Sequence, residues 1–186
     1  MKTDKRRLCA VAVCGAIFLL LCGAPGAGEI GLRADLPSGP GDFYIEVYLR
    51  KTGNLRGVAF DLVYDTASFS VADADGNASN GIQPVMEELG PLSRQGSDLV
   101  LLAAALENDL DGRVVAGLSR AGRIGMVNVL GEEGVARIRM ILLKETPEVP
   151  ALDNVYAQDG QGSPIDLAII PTLFYEVPPV TMWMLR

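Results

Sequence analysis

This chain of 186 residues contains no histidine, and its three cysteines, Cys9, Cys14 and Cys22, all fall within the first 22 positions. Without histidine there is no Ser-His-Asp triad, no Cys-His nucleophile pair and no imidazole to hold zinc or haem. With every cysteine inside one apolar N-terminal stretch, a disulfide framework for the rest of the chain is excluded as well. Aromatic residues are scarce, at 6% of the chain, and the single tryptophan, Trp183, stands almost at the C-terminus. Beyond the N-terminus no long segment repeats with the 3.6-residue period of an amphipathic helix. These absences leave carboxylate chemistry, hard-cation binding through oxygen, or binding without catalysis.

What is present is a chain of ordinary globular character. Hydrophobic residues make up 49% and charged residues 21%, a balance that fits neither disorder nor a fibre and a length that fits one domain. Lys2, Lys5, Arg6 and Arg7 precede an uncharged run over residues 8–21, and small residues follow at 23–28. This is the pattern of a secretory signal peptide, and its apolar run is shorter than the roughly 20 residues of a membrane span. Residues 1–27 therefore read as a signal helix. Ala24-Pro25-Gly26 fits one exit; Leu20-Leu21-Cys22-Gly23 offers another, with lipid attached at Cys22, although Leu21 stands where a small residue is the rule. Any membrane contact would run through this segment or its lipid, and the expected location is extracellular or in the cell envelope. Without residues 1–27 the chain has 12 basic against 22 acidic residues, a net charge of −10. Such a surface repels nucleic-acid phosphates.

The remainder reads as short strands. Residues 42–50 alternate, with Phe43, Ile45, Val47 and Leu49 on one face and Tyr44, Glu46, Tyr48 and Arg50 on the other, as a half-buried strand does. Gly53-Asn54 marks a turn over residues 51–54. Alternation returns over residues 57–65, and further strands are expected at 68–72, 98–107, 113–119, 135–144, 152–157, 165–170 and 173–177. Asn108-Asp109-Leu110-Asp111-Gly112 signals a hairpin between two of them. Residues 83–89 are the one candidate for a short helix, because Met86, Glu87, Glu88 and Leu89 favour it, and residues 122–134 read as a glycine-rich loop. Short strands punctuated by 21 glycines and 11 prolines predict an all-β sandwich over residues 28–177, followed by a short apolar tail at 178–186.

The segment Gly57-Val58-Ala59-Phe60-Asp61-Leu62-Val63-Tyr64-Asp65, followed by Phe69-Ser70-Val71, resembles the signature of cohesin domains. Residues 111–119, then 134–140, then 152–157 with Asp159-Gly160 resemble later strands of that family, in its order, so the resemblance covers about residues 42–170. Thr66 stands where the family commonly has proline, and Met140 where it has an aromatic residue. The resemblance implies a flattened nine-stranded jelly-roll sandwich, related to that of certain carbohydrate-binding modules. It also implies docking of a partner through one sheet face, since cohesins bind the calcium-dependent helical modules called dockerins. The family's contact positions fall here on Gly57 and Ala59, whose side chains offer no hydrogen bond, and near Leu118 and Arg120.

Other candidate sites follow from the residues themselves. Asp73, Asp75, Asn77 and Asn80 make an oxygen-rich loop of the kind Ca²⁺ takes, but Gly76 and Pro84 break EF-hand spacing, so a solvated turn is the simpler reading. Neither a metal nor a cofactor is expected. Glu107 with Asp109, or Asp61 with Asp65, are conceivable glycosidase pairs, yet nothing in their surroundings desolvates one of them into a general acid. Tyr44 and Tyr48 share one strand face roughly 13 Å apart, a possible platform for a sugar chain. Ala59, Val63, Ala103, Gly117 and Leu118 point to an apolar sheet face, with Arg120, Arg137 and Arg139 as charges to steer an acidic partner. The sequence thus reads as a secreted, non-enzymatic protein-interaction module docking a dockerin-like partner. Its alternative is a carbohydrate-binding module of the related sandwich.

Overall fold

The computed structural model describes residues 27–77, 81–92, 99–108 (backbone), 112–121 and 126–176. The proposed signal helix, Cys22 and the tail at 178–186 lie outside these residues. Eleven strands occur among them: β1 (Gly28–Leu36), β2 (Gly41–Val63), β3 (Phe69–Val71), β4 (Met86–Glu88), β5 (Leu99–Asn108), β6 (Arg113–Ala121), β7 (Val127–Leu142), β8 (Ala151–Asp159), β9 (Pro164–Ile165), β10 (Leu167–Ile169) and β11 (Leu173–Glu176).

The architecture is set by β2. Its first half pairs antiparallel with β1 on one side and β7 on the other, while residues 57–63 pair with β6 and β8. Between the halves the ladder slips at Val47/Tyr48, Arg50/Thr52 and Thr52/Leu55, and such bulges bend a strand and increase its twist. One sheet thereby folds over into two layers. The first is ordered β3 and β4, β7, β2, β1, then β10 and β11; the second is β9, β8, β2, β6, β5. β10 and β11 run parallel to β1, which makes the sheet mixed.

Between the layers lies one core. Ile30 and Leu32 of β1, Ile45, Val47, Leu49, Phe60 and Leu62 of β2, and Ile138 and Met140 of β7 are all fully buried. Phe69 sits 5.7 Å from Phe43 and 6.3 Å, edge-on, from Phe174, within the range of favourable aromatic pairs. The expected all-β jelly-roll sandwich is therefore present, with more and shorter strands at its C-terminal edge than the nine anticipated. Pro171 has no N–H for the ladder, and the stretch alongside β1 is divided there into β10 and β11.

Three local expectations change. Residues 51–54 are not a hairpin turn but the bend within β2; Lys51 and Asn54 do take left-handed backbone angles, φ 51° and 55°, so the turn signal was real while the strand continued through it. Residues 83–89 are not helical. Met86 packs against the core and residues 86–88 pair with β7, so tertiary pairing overrides helix propensity. The glycine-rich stretch becomes strand from Val127 onward, with Gly131 and Gly134 inside β7.

Candidate functional site

The outer face of the second layer has small residues at its centre. Alternation on β6 sends Val114, Ala116, Leu118 and Arg120 inward and leaves Val115, Gly117, Ser119 and Ala121 outward. Register sets Gly117 beside Ala59 of β2 and Ala103 of β5, and sets Ala59 beside Tyr156 of β8. Next along, Val115 lies beside Asp61, and Ser119 beside Gly57. The middle of the face is thus built from glycine and alanine, flanked by Val115 and Tyr156, which are 44% and 49% exposed. Gly57 is small by necessity: a Cβ there would meet the Leu118 carbonyl oxygen at 2.9 Å and the Ser119 Oγ at 3.0 Å.

Among the described residues this face carries an acidic pair, Asp61 and Asp153, bound from inside the molecule. Asp61 is 7% exposed and accepts hydrogen bonds of 2.6 Å from both Arg113 Nη1 and Asn154 Nδ2. Arg113 also donates to Asp153 Oδ2 at 3.1 Å. Asn154 occupies the left-handed region, φ 47°, at the bulge where Ala59 pairs with Tyr156 but Asp61 with Asp153. Asparagine tolerates that conformation better than most residues. The hydrogen bonds it donates to Asp61 and then Asp153 hold the Arg113 guanidinium above its usual pKa, and Arg113 with the Asn154 N–H lowers the Asp153 carboxyl.

The sequence-derived contact positions divide at this point. Gly57 and Ala59 lie on the face. Leu118 and Arg120 do not: they are 2% and 5% exposed, Leu118 belongs to the core, and the outward positions on β6 are their neighbours Gly117 and Ser119. Arg120 is therefore not a steering charge. Arg137 and Arg139 lie on the opposite layer, bound to Glu87 and Asp42. Sequence reasoning missed Val115 because the run Val114-Val115-Ala116 hides its phase. It missed Tyr156 because the bulge at Asn154 interrupts the alternation of β8.

The outer face of the first layer carries ion pairs instead. Tyr44 is 36% exposed, but Tyr48 is fully buried, so the two do not form the expected two-ring platform. The Arg33 and Arg50 guanidiniums each stand 5.3 Å from the Tyr48 ring centroid, and Glu132 accepts from both arginines. Burial pushes the Tyr48 phenol above its usual pKa.

The remaining candidates resolve into turn chemistry. Asp65 accepts from Ser68 Oγ at 2.5 Å, the Ala67 N–H at 3.0 Å and Lys144 Nζ at 3.0 Å. Those bonds, Ser68 first, lower its pKa to about 2, the opposite of what a general acid needs. Glu107 and Asp109 fall outside the residues whose side chains are described. Asp75 Oδ1 accepts the Asn77 N–H, as in an Asx turn, and Asp73 Oδ1 accepts the Gln83 N–H across the loop; Asn80 lies outside the described residues. Among the described residues no cluster of three acidic, cysteine or histidine side chains could hold a metal, and no helix is long and apolar enough to cross a membrane.

No family model and no curated protein matches the sequence. Solved structures do. The cohesin of a type II cohesin–X-dockerin complex from Acetivibrio cellulolyticus superposes with a TM-score of 0.60 at 12% identity, covering 78% of this chain and 96% of that one. Type II cohesin A11 from Bacteroides cellulosolvens gives 0.57 at 13% identity, over 79% and 99%. A non-cellulosomal cohesin from the archaeon Archaeoglobus fulgidus gives 0.51 at 13%, over 80% and 91%. The fold is that of a cohesin.

Proposed function

We propose that this chain is a non-enzymatic protein-interaction module that docks a dockerin-like partner on the outer face of its second layer. The observation that carries the reading is the contrast between the two outer faces. The second layer offers glycine and alanine flanked by Val115 and Tyr156, with the carboxylates of Asp61 and Asp153 both bound by Arg113. The first layer is covered by ion pairs. Docking on the second layer buries apolar surface at little desolvation cost, the arrangement found at the core of protein interfaces. The cohesin fold supports the same reading, since one matching structure is of a cohesin in complex with a dockerin. In this scheme Gly57, Ala59, Gly117 and Ser119 form the floor and Tyr156 is the anchor.

The remaining elements of the proposal concern location. A basic start, a charge-free run and a small-residue exit support export of the chain, with Cys22 as the residue that would carry a lipid. Mass spectrometry of the native N-terminus distinguishes cleavage after the small residues from lipidation at Cys22.

The test of docking is capture of purified dockerin modules on the immobilised protein, with and without a calcium chelator. Calcium-dependent retention that disappears in Tyr156→Ala supports the proposal. Binding of no dockerin, or binding indifferent to that substitution, overturns it.

A further inference from the structure

We propose that the outer face of the first layer carries a strip that binds a neutral polysaccharide, running across the strands from Tyr175 past Asp35 to Tyr44 and the Arg137–Glu87 pair. The starting point is the posture of Tyr44. Its hydroxyl donates to Glu87 Oε1 at 3.3 Å, although β7 separates β2 from β4: Tyr44 pairs with Arg139, and Glu87 with Arg137. To reach a side chain two strands away the ring must lie down across β7. There the Arg137 guanidinium stands 4.5 Å from its centroid. The ring is pinned at its hydroxyl and backed by a cation, and 36% of the residue remains exposed. A ring fixed in this way loses little freedom when a ligand stacks on it.

Tyr175 stands on the other side of β1, beside Asp35, and is 53% exposed. The β1–β2 ladder ends at Arg33↔Glu46; carried two residues further, its register sets Tyr44 opposite Asp35, the partner of Tyr175, so the two tyrosines are rooted about 10 Å apart, two strand spacings. Asp35 is exposed between them.

The charges around the strip decide the class of ligand. Arg137 is bound to Glu87, Arg139 to Asp42, and Arg33 to Glu46 and Glu132. A charged ligand gains a full ion pair only by competing with the partner that each of these side chains already has. An apolar protein surface would have to desolvate the pairs. A sugar ring does neither. Its C–H face suits an amphipathic tyrosine ring, and its hydroxyls bond the lone pairs and N–H groups that bound carboxylates and guanidiniums still present. An extended neutral chain laid across the strands meets two rings with acceptors between them.

The experiment is native affinity electrophoresis of the purified protein in gels containing hydroxyethyl cellulose, xylan or polygalacturonate. Either neutral polymer should slow the wild type, and the anionic one should not. Tyr44→Ala should lose about tenfold in affinity, the scale of one stacked ring; Tyr44→Phe, which keeps the ring but not its bond to Glu87, should lose less than Tyr44→Ala, and Tyr156→Ala, on the opposite layer, should stay close to wild type. Unchanged mobility of the wild type in both neutral polymers overturns the proposal, as does retardation by polygalacturonate alone or full retardation of Tyr44→Ala. Should Tyr44→Ala lose its β-sheet circular-dichroism signal, Tyr175→Ala takes its place, and an affinity equal to wild type in that variant overturns the proposal equally.

Discussion

Tyr48 lies across Gly31: a Cβ built on that glycine would fall 2.8 Å from both Cζ and the hydroxyl oxygen of the tyrosine, and 2.8 Å from Ile170 Cγ1. The aromatic ring occupies the space that a side chain on β1 would have filled, and Arg33 and Arg50 close over it. Gly31→Ala must push the ring out or shift the strand, and overpacking of this kind costs about 1–3 kcal/mol. Chemical denaturation should show that loss with little change in the slope of the transition.

The same tyrosine gives a prediction of opposite sign. Its hydroxyl is buried and makes no hydrogen bond among the described residues, and an unsatisfied buried hydroxyl is a net cost. Tyr48→Phe keeps the ring between its two arginines and removes that cost. A thermal melt should show the variant at least as stable as wild type, with a gain on the order of 1 kcal/mol. A clear loss would mean that the hydroxyl has a partner in solution.

On the second layer, neighbouring residues separate docking from stability. Gly117→Arg adds a large side chain on the outer face, where a Cβ meets only ordinary contacts, the nearest being Ala59 Cβ at 3.4 Å. It should abolish capture of the partner while leaving the melting temperature nearly unchanged. Leu118→Ala, one residue along, empties a core position and should cost about 2–5 kcal/mol.

Acid should loosen the turn after β2. The carboxyl of Asp65 titrates at about 2 in the folded protein because Ser68, the Ala67 N–H and Lys144 bond its ionised form. A lowered folded pKa contributes stability that is complete above the ordinary carboxylate range and is lost as pH falls toward the folded value. Glu132, bound by Arg50, and Asp153, bound by Arg113, are shifted the same way. The melting temperature should therefore fall between about pH 4 and pH 2, and Asp65→Asn should reduce that slope while lowering stability at neutral pH.

A further substitution tests the junction between β2 and β6. Gly112 has φ +58°, and a Cβ there would lie 2.0 Å from the Tyr64 carbonyl oxygen, while the Tyr64 N–H donates to the Gly112 carbonyl at 2.8 Å. Gly112→Ala combines backbone strain with a clash against main chain that has little room to move. The expected loss is at least about 2 kcal/mol, read by denaturant titration.

The fold was legible where alternation was clean. Phe43, Ile45, Val47 and Leu49 mark the buried side of β2, and all four are in the core. Legibility failed where geometry depends on distant partners. The left-handed angles at Lys51 and Asn54 read as a reversal, but the residues beyond them find β6 and β8 waiting, and the strand goes on. Glu87 and Glu88 favour a helix locally, yet pairing with β7 sets Glu87 opposite Arg137. At the candidate site, Gly57 and Ala59 could be placed from their strand. The phase of β6 could not, because Val114 and Val115 are equally apolar and only burial tells which one faces out. Tyr48 looked like half of a platform, since nothing local reveals that two arginines and a glycine on another strand enclose it.

Because β2 contributes a rib to each leaf of the sandwich, neither leaf can be completed while the other is missing. The earliest stable species must already bring together segments far apart along the chain, which places folding toward the slow, millisecond-to-second end of the range for small domains. The reverse journey should be equally indivisible: a pull on either leaf would be transmitted along this shared ribbon into the other, and the molecule should give way all at once.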